Sequence, residues 1–514
     1  MNTSSEIETV PTGDRRRSAG FATDREGLQQ KPSQPAGLGL FTCRSMQAIL
    51  GAEFVFTLLV SLRFTHFIST AAFLADAGFL VVSAGLCYLI ATGRINLGVS
   101  RFIQWNFFPV LIVLGVVLRL GWVMLMPPVQ LSDAKDYLTI AHTLLNTGSY
   151  VDFETGHRLL AFRAPGYPAF LALAMKVLGD GPWMPAVTNL LMFVASAVVI
   201  GLAAMRLGGK RSALLALLLF VLWPSNIFIT GLAVSEPLTL FLFTTSLWLF
   251  SLSDVYGAKA SLAAGILGGA AALTRPTLLL FPLLWAVFAL VGPNFGKRVR
   301  QVVIASVMMA ATLAPWTIRN YRVLHAFVPV STNGGDVFYR ANNELATGSY
   351  TVAAEHDLNA LQDESEVKWS EESYRAGKAW IRSHPVNFVK LAVHKAIYFT
   401  QDDETGIYWS MARAHHNVGP AYMALEVASD AWWQLLCLLG LFAIWRGGLL
   451  RDAYAALFAS GFVLLVLVHL VYESQPRYRM AAVGLVIIIV AAALCRAPEA
   501  RNSPAGHEAS QPGS

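Results

Sequence analysis

The chain has 514 residues, of which 55% are hydrophobic and 14% are charged, and its formal net charge is +6. Soluble domains carry about 25% charged residues, so this composition excludes an ordinary soluble enzyme. The basic balance does not indicate nucleic-acid binding, because membrane proteins gather Lys and Arg on their cytoplasmic loops. We therefore expect one large membrane-embedded body and no nucleic-acid partner.

Polar segments occupy both ends of the chain. Residues 1–40 and 497–514 are rich in Ser, Pro, Gly and charged side chains. Such segments cannot bury enough apolar surface to fold. We expect both to be disordered cytoplasmic tails.

Twelve apolar runs lie between the tails, and a helix of about 20 such residues crosses the hydrocarbon core of a bilayer. The runs cover residues 47–67, 73–92, 104–126, 184–204, 212–231, 235–252, 259–274, 277–292, 301–318, 431–446, 453–472 and 478–495. The charge and proline of Arg275-Pro276 separate two of them, because both interrupt an apolar helix. The sequence therefore predicts an all-α polytopic membrane protein with about twelve transmembrane helices.

The charges of the connecting loops orient these spans. With the N-terminus in the cytoplasm, every turn on the inner side carries Lys or Arg, as the positive-inside rule requires. A first loop (127–183) and a longer loop (319–430) then lie on the outer side. The expected organisation is an N-terminal transmembrane region (41–318) that contains the first loop, then the long loop, then C-terminal transmembrane helices (431–496).

The first outer loop contains an amphipathic helix that starts near Asp133. Ser132 or Asp133 can cap this helix, Asp136 lies in its first turn, and Tyr137 begins its apolar face. One interpretation of Asp133 is a capping residue alone. The functional interpretation is a general base that faces outward just above the bilayer.

A rigid turn follows at Ala161-Phe-Arg-Ala-Pro-Gly-Tyr-Pro168 and leads into an apolar helix of about ten residues, too short to span. Two prolines and a glycine restrict the backbone of this turn. The turn can therefore aim the guanidinium group of Arg163, and Tyr167 is a second candidate for substrate binding beside it.

Charged residues recur at the outer ends of the spans. Glu236 starts one of them, either as a carboxylate favoured by the helix dipole or as an acid that orients an acceptor or helps to hold a metal opposite Asp133. Arg275, Arg477 and Arg479 either snorkel to the interface or share an anionic ligand such as a lipid phosphate. We favour the shared ligand for the cluster.

The long outer loop carries weaker signals. Asn333 and Asn342 lie in turn-forming stretches, where they either bind sugar hydroxyls or serve ordinary turn chemistry. Residues around 364–400 alternate charged and apolar groups at helical spacing and predict two amphipathic helices that cover the membrane domain. His415 and His416 are adjacent and diverge on a helix, so a zinc site is not favoured.

Several motifs share one order along the chain and one side of the membrane. They are Asp133-x-x-x-Tyr137, Ala161-Phe-Arg-Ala-Pro-Gly-Tyr-Pro168, Ser235-Glu236-Pro237, Leu273-Thr-Arg-Pro276, Pro315-Trp-Thr-Ile-Arg-Asn320, Ser331-Thr-Asn-Gly-Gly335 and Arg477-Tyr-Arg479. In this arrangement the chain resembles the polytopic GT-C glycosyltransferases. It looks most like bacterial relatives of the dolichyl-phosphate-mannose–protein mannosyltransferases and of the lipid A aminoarabinose transferase.

The resemblance implies a GT-C fold with periplasmic interfacial helices. It also implies a polyprenyl-phosphate-linked hexose or pentose as donor, and an envelope lipid, glycan or protein as acceptor. Transfer would take place on the periplasmic face of the bacterial inner (cytoplasmic) membrane. Asp133 matches the catalytic aspartate of the family, Asp136 is its nearby substitute, and Glu236 is similar to the second outer acid.

The basic residue that follows the first-loop helix in the family matches Arg163. Arg477 and Arg479, together with Arg275, correspond to the arginines near the donor phosphate. Where some relatives have a second adjacent acid, this chain has Ala134, which leaves a divalent metal cofactor open.

Two other functions fit parts of the same pattern. A transporter or flippase of a lipid-linked saccharide would use the same arginines, and an envelope assembly protein would need no catalytic acid. The charges available within the spans are Glu53, Arg63 and Arg119. Polar groups gather at the outer mouth of the spans, with few at mid-depth, which favours the enzyme over the transporter. Membrane lipids complete the expected partners.

Overall fold

The computed structural model describes Ser45 and residues 101–152, 158–291, 293–351, 365–445 and 452–495. The expected tails (1–40 and 497–514) and the predicted spans 47–67 and 73–92 lie outside these residues.

Within the described residues the chain is helical and has no β-strand; one isolated antiparallel bridge joins Asp152 and Leu159. The first half comprises α1 (Arg101–Leu125), α2 (Asp133–Thr147), α3 (Gly166–Leu178), α4 (Met184–Val221), α5 (Pro224–Phe228), a 3₁₀ turn (Ile229–Gly231), α6 (Glu236–Ser251), α7 (Ser253–Tyr256), α8 (Ala258–Thr274), a second 3₁₀ turn (Pro276–Leu280), α9 (Phe281–Val291) and α10 (Phe295–Leu324). The second half comprises α11 (Gly334–Arg340), α12 (Glu366–Ser383), α13 (Pro385–Thr400), α14 (Thr405–Ile407), a π-helical turn (Tyr408–Ala412), α15 (Arg413–His415), α16 (Pro420–Trp445), α17 (Ala453–Val471) and α18 (Pro476–Cys495). The two helices expected around 364–400 are α12 and α13.

Six helices of the described part are long and apolar enough to cross a membrane, so the chain is a multi-pass membrane protein. They are Phe107–Leu125, Met184–Val221, Phe295–Leu324, Pro420–Phe442, Ala453–Val471 and Pro476–Cys495. The predicted span 184–204 lies within α4, whereas 212–231 begins in α4 and continues through α5 and the first 3₁₀ turn. Gly209 interrupts α4 with a φ of 80°. The expected break after residue 274 is confirmed, because α8 ends at Thr274 and the next residue is extended. The total of twelve spans stays a prediction.

Helix α18 is the central helix of the described bundle. In its apolar stretch 89% of the residues are buried, and the helix packs against α4, α6, α16 and α17. Pro476 begins the helix, where the missing N–H of a proline leaves no hydrogen bond unmade. Arg477 therefore lies in the first turn of the most buried of these six described membrane helices.

Helices α8 and α10 approach each other at two glycines. A Cβ atom on Gly265 would lie 2.3 Å from the carbonyl oxygen of Ala305, and one on Gly269 would lie 2.6 Å from the side chain of Thr312. Small residues at such crossings let two helices pack backbone to backbone. The end of α8, which leads to Arg275, is positioned by this contact.

We expect Gly265→Ala to destabilise the protein by about 1–3 kcal/mol, because the new methyl group has to push α10 away. Thermal unfolding of the detergent-solubilised protein measures the loss. Gly121→Ala is the matched control, since a Cβ atom there meets nothing within 4 Å. An equal effect of the two substitutions would contradict the close α8–α10 contact.

Candidate active site

The site begins where the chain enters α2. Ser132 has a φ of 51°, in the left-handed region that residues other than glycine rarely adopt, and its side chain makes no capping hydrogen bond. Ser132 therefore takes the N-cap position without capping α2 through its side chain, and Asp133, the other expected cap, is the first residue of the helix. Such backbone strain persists only where the surroundings hold it, and here the next residue, Asp133, is held by two arginines.

Arg163 binds three carboxylates at once. Its Nη1 donates to Oδ1 of Asp133 at 2.8 Å, and its Nη2 donates to Oδ2 of Asp136 at 2.9 Å. Its Nε lies 3.2 Å from Oδ2 of the buried Asp152. The sequence predicted that this turn aims the guanidinium group of Arg163. In the structure that group contacts both candidate acids of α2, Asp133 and Asp136.

A second arginine reaches Asp133 from the start of α18. The Nη2 of Arg477 donates to Oδ2 of Asp133 at 2.5 Å, and its Nε lies 3.5 Å from Oε1 of Glu236. Arg275 donates from Nη2 to the same oxygen of Glu236 at 2.7 Å. Both oxygens of Asp133 are therefore occupied by guanidinium groups, and six of the predicted site residues meet in one ion-pair cluster.

The pKa values of the two acids of α2, Asp133 and Asp136, are shifted in opposite directions within this cluster. Burial raises the pKa of Asp133, but the charges of Arg477 and Arg163 outweigh it and hold the pKa well below its usual range. Burial raises the pKa of Asp136, and the negative charge of Asp133 adds to this effect against the attraction of Arg163. Asp133 is therefore the more firmly ionised of the two.

A partly open cleft lies beside the cluster. Asp133, Glu236 and Arg477 supply its charged lining. Its apolar wall includes Leu131, Ile229, Leu232, Val234, Trp409 and Met480. An apolar wall that ends at a few charged groups is suited to an amphipathic ligand with a charged head.

Two tyrosines predicted for the site pack behind it. The rings of Tyr137 and Tyr167 meet edge to face at 5.1 Å, and the guanidinium carbon of Arg163 lies 5.6 Å from the centre of the Tyr137 ring. The buried hydroxyl of Tyr167 has no hydrogen-bond partner among the described residues. Neither tyrosine lines the cleft: Tyr137 lies beside Arg163, and Tyr167 packs against Tyr137.

Gly166 lets the turn carrying Arg163 approach the end of α8. A Cβ atom on Gly166 would lie 2.7 Å from the backbone of Leu273 and Thr274. No other residue type fits there without moving one of the two segments. The Arg163 turn and Arg275, which follows Thr274 directly, are thereby held in contact.

Two residues that the sequence analysis gave no role hold the same turn in place. The carboxylate of Glu366 accepts from the backbone N–H groups of Leu160 and Ala161 at 3.2 and 3.1 Å. Arg319 donates to the carbonyl oxygens of Leu160 and Tyr150 at 2.6 and 3.1 Å. Glu366 is 205 residues from Ala161 in the sequence, and no local pattern links them.

Arg479 does not join the site, which corrects its assignment to the donor phosphate. Its side chain is fully buried, donates to the carbonyl oxygens of Phe399 and Asp402, and lies 3.9 Å from the centre of the Trp433 ring. Its Nη2 also lies 3.4 Å from Oδ1 of Asp403. Arg479 therefore ties α18 to the end of α13.

The two predicted sugar-binding asparagines also have structural partners. The buried Asn342 donates to the carbonyl oxygens of Phe338 and Val471 and accepts from Nζ of Lys395 at 3.0 Å. Asn333 accepts from the hydroxyl of Ser331 at 2.8 Å. Neither lines the cleft: Asn333 makes a local turn contact, whereas Asn342 joins its own segment to Val471 and Lys395.

The acids of the cluster do not fit a divalent metal. No group of three or more His, Cys, Asp or Glu side chains among the described residues is arranged to hold an ion. Both oxygens of Asp133 and Oε1 of Glu236 already accept from arginines, and a cation next to these arginines would be repelled. We therefore assign no step to a metal.

No protein-family model and no curated protein matches this chain. Among solved structures, it is similar to the archaeal oligosaccharyltransferase AglB from Archaeoglobus fulgidus in complex with an inhibitory peptide and a dolichol-phosphate, with 15% identity and a TM-score of 0.49. That match covers 77% of this chain and 50% of the other, so the chain spans half the length of AglB. It is also similar to ArnT from Cupriavidus metallidurans bound to undecaprenyl phosphate, with 16% identity, a TM-score of 0.39, and 76% and 77% of the two chains covered.

Both of these proteins are GT-C glycosyltransferases, the superfamily that the sequence motifs resemble. Because both TM-scores lie below 0.5, we base the proposed function on the geometry of the site.

We expect Glu366→Ala to cost about 1–3 kcal/mol of stability, because it leaves two buried N–H groups without an acceptor. Glu366→Gln keeps one acceptor oxygen and should lose less. Thermal unfolding measures both, and Glu371→Ala, an exposed position of the same helix, is the control. Wild-type stability of Glu366→Ala would show that the turn does not depend on this carboxylate.

A pH effect is expected from the acids that follow α13. Burial raises the pKa of Asp402, Asp403 and Glu404 to about 7 in each case. The corresponding pKa values in an unfolded chain are about 4, so the folded state binds these protons more tightly and stability falls as pH rises from about 4 to 7. The unfolding temperature should be lower at pH 8 than at pH 5. Asp402→Asn should reduce this difference, and an unchanged difference would contradict the assignment.

Proposed function

We propose that this protein is a glycosyltransferase of the GT-C class. It moves a hexose or pentose from a polyprenyl-phosphate donor to an envelope lipid, glycan or protein on the periplasmic face of the bacterial inner membrane. The observation that carries the proposal is the cleft, whose apolar wall leads to Asp133 and Arg477. A polyprenyl phosphate has the matching shape, with a long apolar chain and one anionic head.

The charged groups of the cleft fit the two demands of the reaction. An acceptor hydroxyl has to lose a proton as its oxygen attacks the anomeric carbon, and Asp133 is the carboxylate in place to take it. The bond from the anomeric carbon to the phosphate oxygen breaks, and its electron pair stays on the phosphate. Arg477 and Arg275 are placed to stabilise that negative charge.

The other charged residues have supporting roles in this proposal. Arg163 orients Asp133 through Oδ1, and Asp136 and Asp152 hold Arg163 in turn. Glu236 shares one oxygen between Arg275 and Arg477 and so fixes the spacing of the two phosphate-binding groups. The protein supplies orientation and charge, which together account for much of the acceleration in group-transfer enzymes.

A transporter or flippase of the same lipid would need charged groups along a path through the membrane. Among the described residues, Arg119 of α1 is the charged group that the sequence offers for such a path; the other two candidates, Glu53 and Arg63, lie outside the described residues. It donates to the carbonyl oxygens of Gly115 and Val221 and to Oδ1 of Asn226, and its guanidinium carbon lies 3.6 Å from the Phe193 ring. Arg119 therefore joins α1 to α4, and the enzyme is the better-supported function.

We expect Asp133→Asn to reduce sugar transfer by about 10²–10⁴-fold, the usual contribution of a general base. The assay presents purified protein in lipid nanodiscs with a panel of polyprenyl-phosphate sugars and measures release of free polyprenyl phosphate. Asp136→Asn is the matched control and should lose less, since Asp136 contacts Arg163 and does not line the cleft. Full transfer by Asp133→Asn would contradict the assignment of Asp133 as the base. If the wild type released polyprenyl phosphate from none of the donors, the proposed function would be wrong.

A further inference from the structure

Asp133 is not free to act as a base in the ligand-free cluster. Oδ1 accepts from Arg163 and Oδ2 accepts from Arg477, so both oxygens hold cationic donors. The same two arginines hold its pKa below the usual range, and a carboxylate with so low a pKa is a weak proton acceptor. A ligand has to change this arrangement before the reaction can use Asp133.

The two arginines differ in how firmly they are held. Arg163 faces three carboxylates and comes from a turn that is fixed by Glu366 and Arg319, and it does not line the cleft. Arg477 does line the cleft, and after Asp133 its next carboxylate is 3.5 Å away, on Glu236. Of the two, Arg477 is the arginine that a ligand in the cleft can reach and draw away.

The charge of the cluster favours an exchange of partners over simple addition of an anion. In the described part of the chain, this cluster consists of four carboxylates and three guanidinium groups: Asp133, Asp136, Asp152 and Glu236 with Arg163, Arg275 and Arg477. These groups carry no excess of positive charge for an incoming phosphate. A phosphate can enter without net repulsion if it takes over a guanidinium group that a carboxylate releases.

The position of Arg477 suits such an exchange. It lies on the first turn of α18, where the helix dipole favours an anion. Its guanidinium carbon lies 5.5 Å from the centre of the Tyr478 ring, which Arg275 shares at 5.2 Å. The hydroxyl of Tyr478 donates to Glu473 at 2.8 Å, and this hydrogen bond fixes the ring. The guanidinium group of Arg477 can therefore reorient while it stays beside the same ring.

We propose that Arg477 is a phosphate-operated latch on Asp133. In the empty site it holds Oδ2; when a lipid phosphate binds in the cleft, Arg477 turns to the phosphate and releases that oxygen, while Arg163 keeps Oδ1. The identity of the ligand as a lipid phosphate rests on the proposed function.

The latch identifies the atom of Asp133 that accepts the proton from the acceptor hydroxyl. Oδ2 of Asp133 takes the proton of the acceptor hydroxyl as the new bond to the anomeric carbon forms. The bond from that carbon to the phosphate oxygen breaks, and the electron pair moves to the phosphate that Arg477 now holds. The acceptor is therefore activated only after the donor has bound, which predicts ordered binding with the donor first.

Binding without turnover tests the latch. The probe is undecaprenyl phosphate, titrated against the full-length protein in phosphatidylcholine nanodiscs. Asp133→Asn removes the carboxylate that competes with the phosphate for Arg477, so we expect it to bind the probe about tenfold more tightly than the wild type. Asp180→Asn, which removes an exposed carboxylate outside the cluster, should leave the affinity unchanged. Arg477→Ala should weaken binding.

A parallel titration with inorganic phosphate separates the two sources of the anion. A gain in affinity for undecaprenyl phosphate alone assigns the latch to the lipid, whereas an equal gain for both probes assigns it to phosphate in general. Unchanged or weaker binding of undecaprenyl phosphate by Asp133→Asn overturns the latch. Should Asp133→Asn unfold, Asp133→Ala makes the same comparison without the amide.

The latch and the proposed function can fail separately. Transfer by the wild type with no gain in affinity on Asp133→Asn would leave the enzyme standing and remove the latch. A gain in affinity without transfer from any donor would remove the proposed reaction and keep the competition between Asp133 and phosphate for Arg477. Equal unfolding temperatures of wild type and variants show that the affinities compare folded proteins.

Discussion

The ion-pair cluster around Asp133 is the constraint on which the candidate site depends. Removing charged groups from water is expensive, and an incomplete buried cluster is strongly destabilising. The partners of Asp133 come from α18 and from the turn before α3, while Glu236 and Arg275 come from α6 and the end of α8. These segments therefore have to reach their final positions together, and the packing of the bundle sets the geometry of the site.

The scaffold positions the cluster from both sides. Within the bundle, the burial of α18 and the glycine contacts of α8 and α10 set where Arg477 and Arg275 emerge. On the other side, Glu366 on α12 and Arg319 near the end of α10 bind the backbone of the turn that carries Arg163. Side chains that are fixed by supporting hydrogen bonds in this way need little reorganisation when a ligand arrives, which is what precise positioning requires.

The balance of charge in the cluster connects the stability of the empty protein with its proposed chemistry. Without a ligand, the carboxylates neutralise the arginines and allow them to be buried. A phosphate in the cleft would replace one of these carboxylates and take over the same stabilising role. The proposed base, Asp133, is thus protected while the site is empty, and the ligand that has to react is also the ligand that exposes it.

The amino-acid sequence by itself determined the helical membrane architecture, because apolar runs and basic turns are local properties of the chain. It also marked Asp133, Arg163 and Arg477 as site candidates, since each lies beside an apolar helix where few charges are tolerated, and the fold brings the three side chains into contact. Only the tertiary structure could separate Arg477 from Arg479, two residues apart on α18: at about 100° per residue, one faces the cleft and the other faces α13. Only the fold could reveal Glu366, because a hydrogen bond between segments distant in sequence leaves no local pattern.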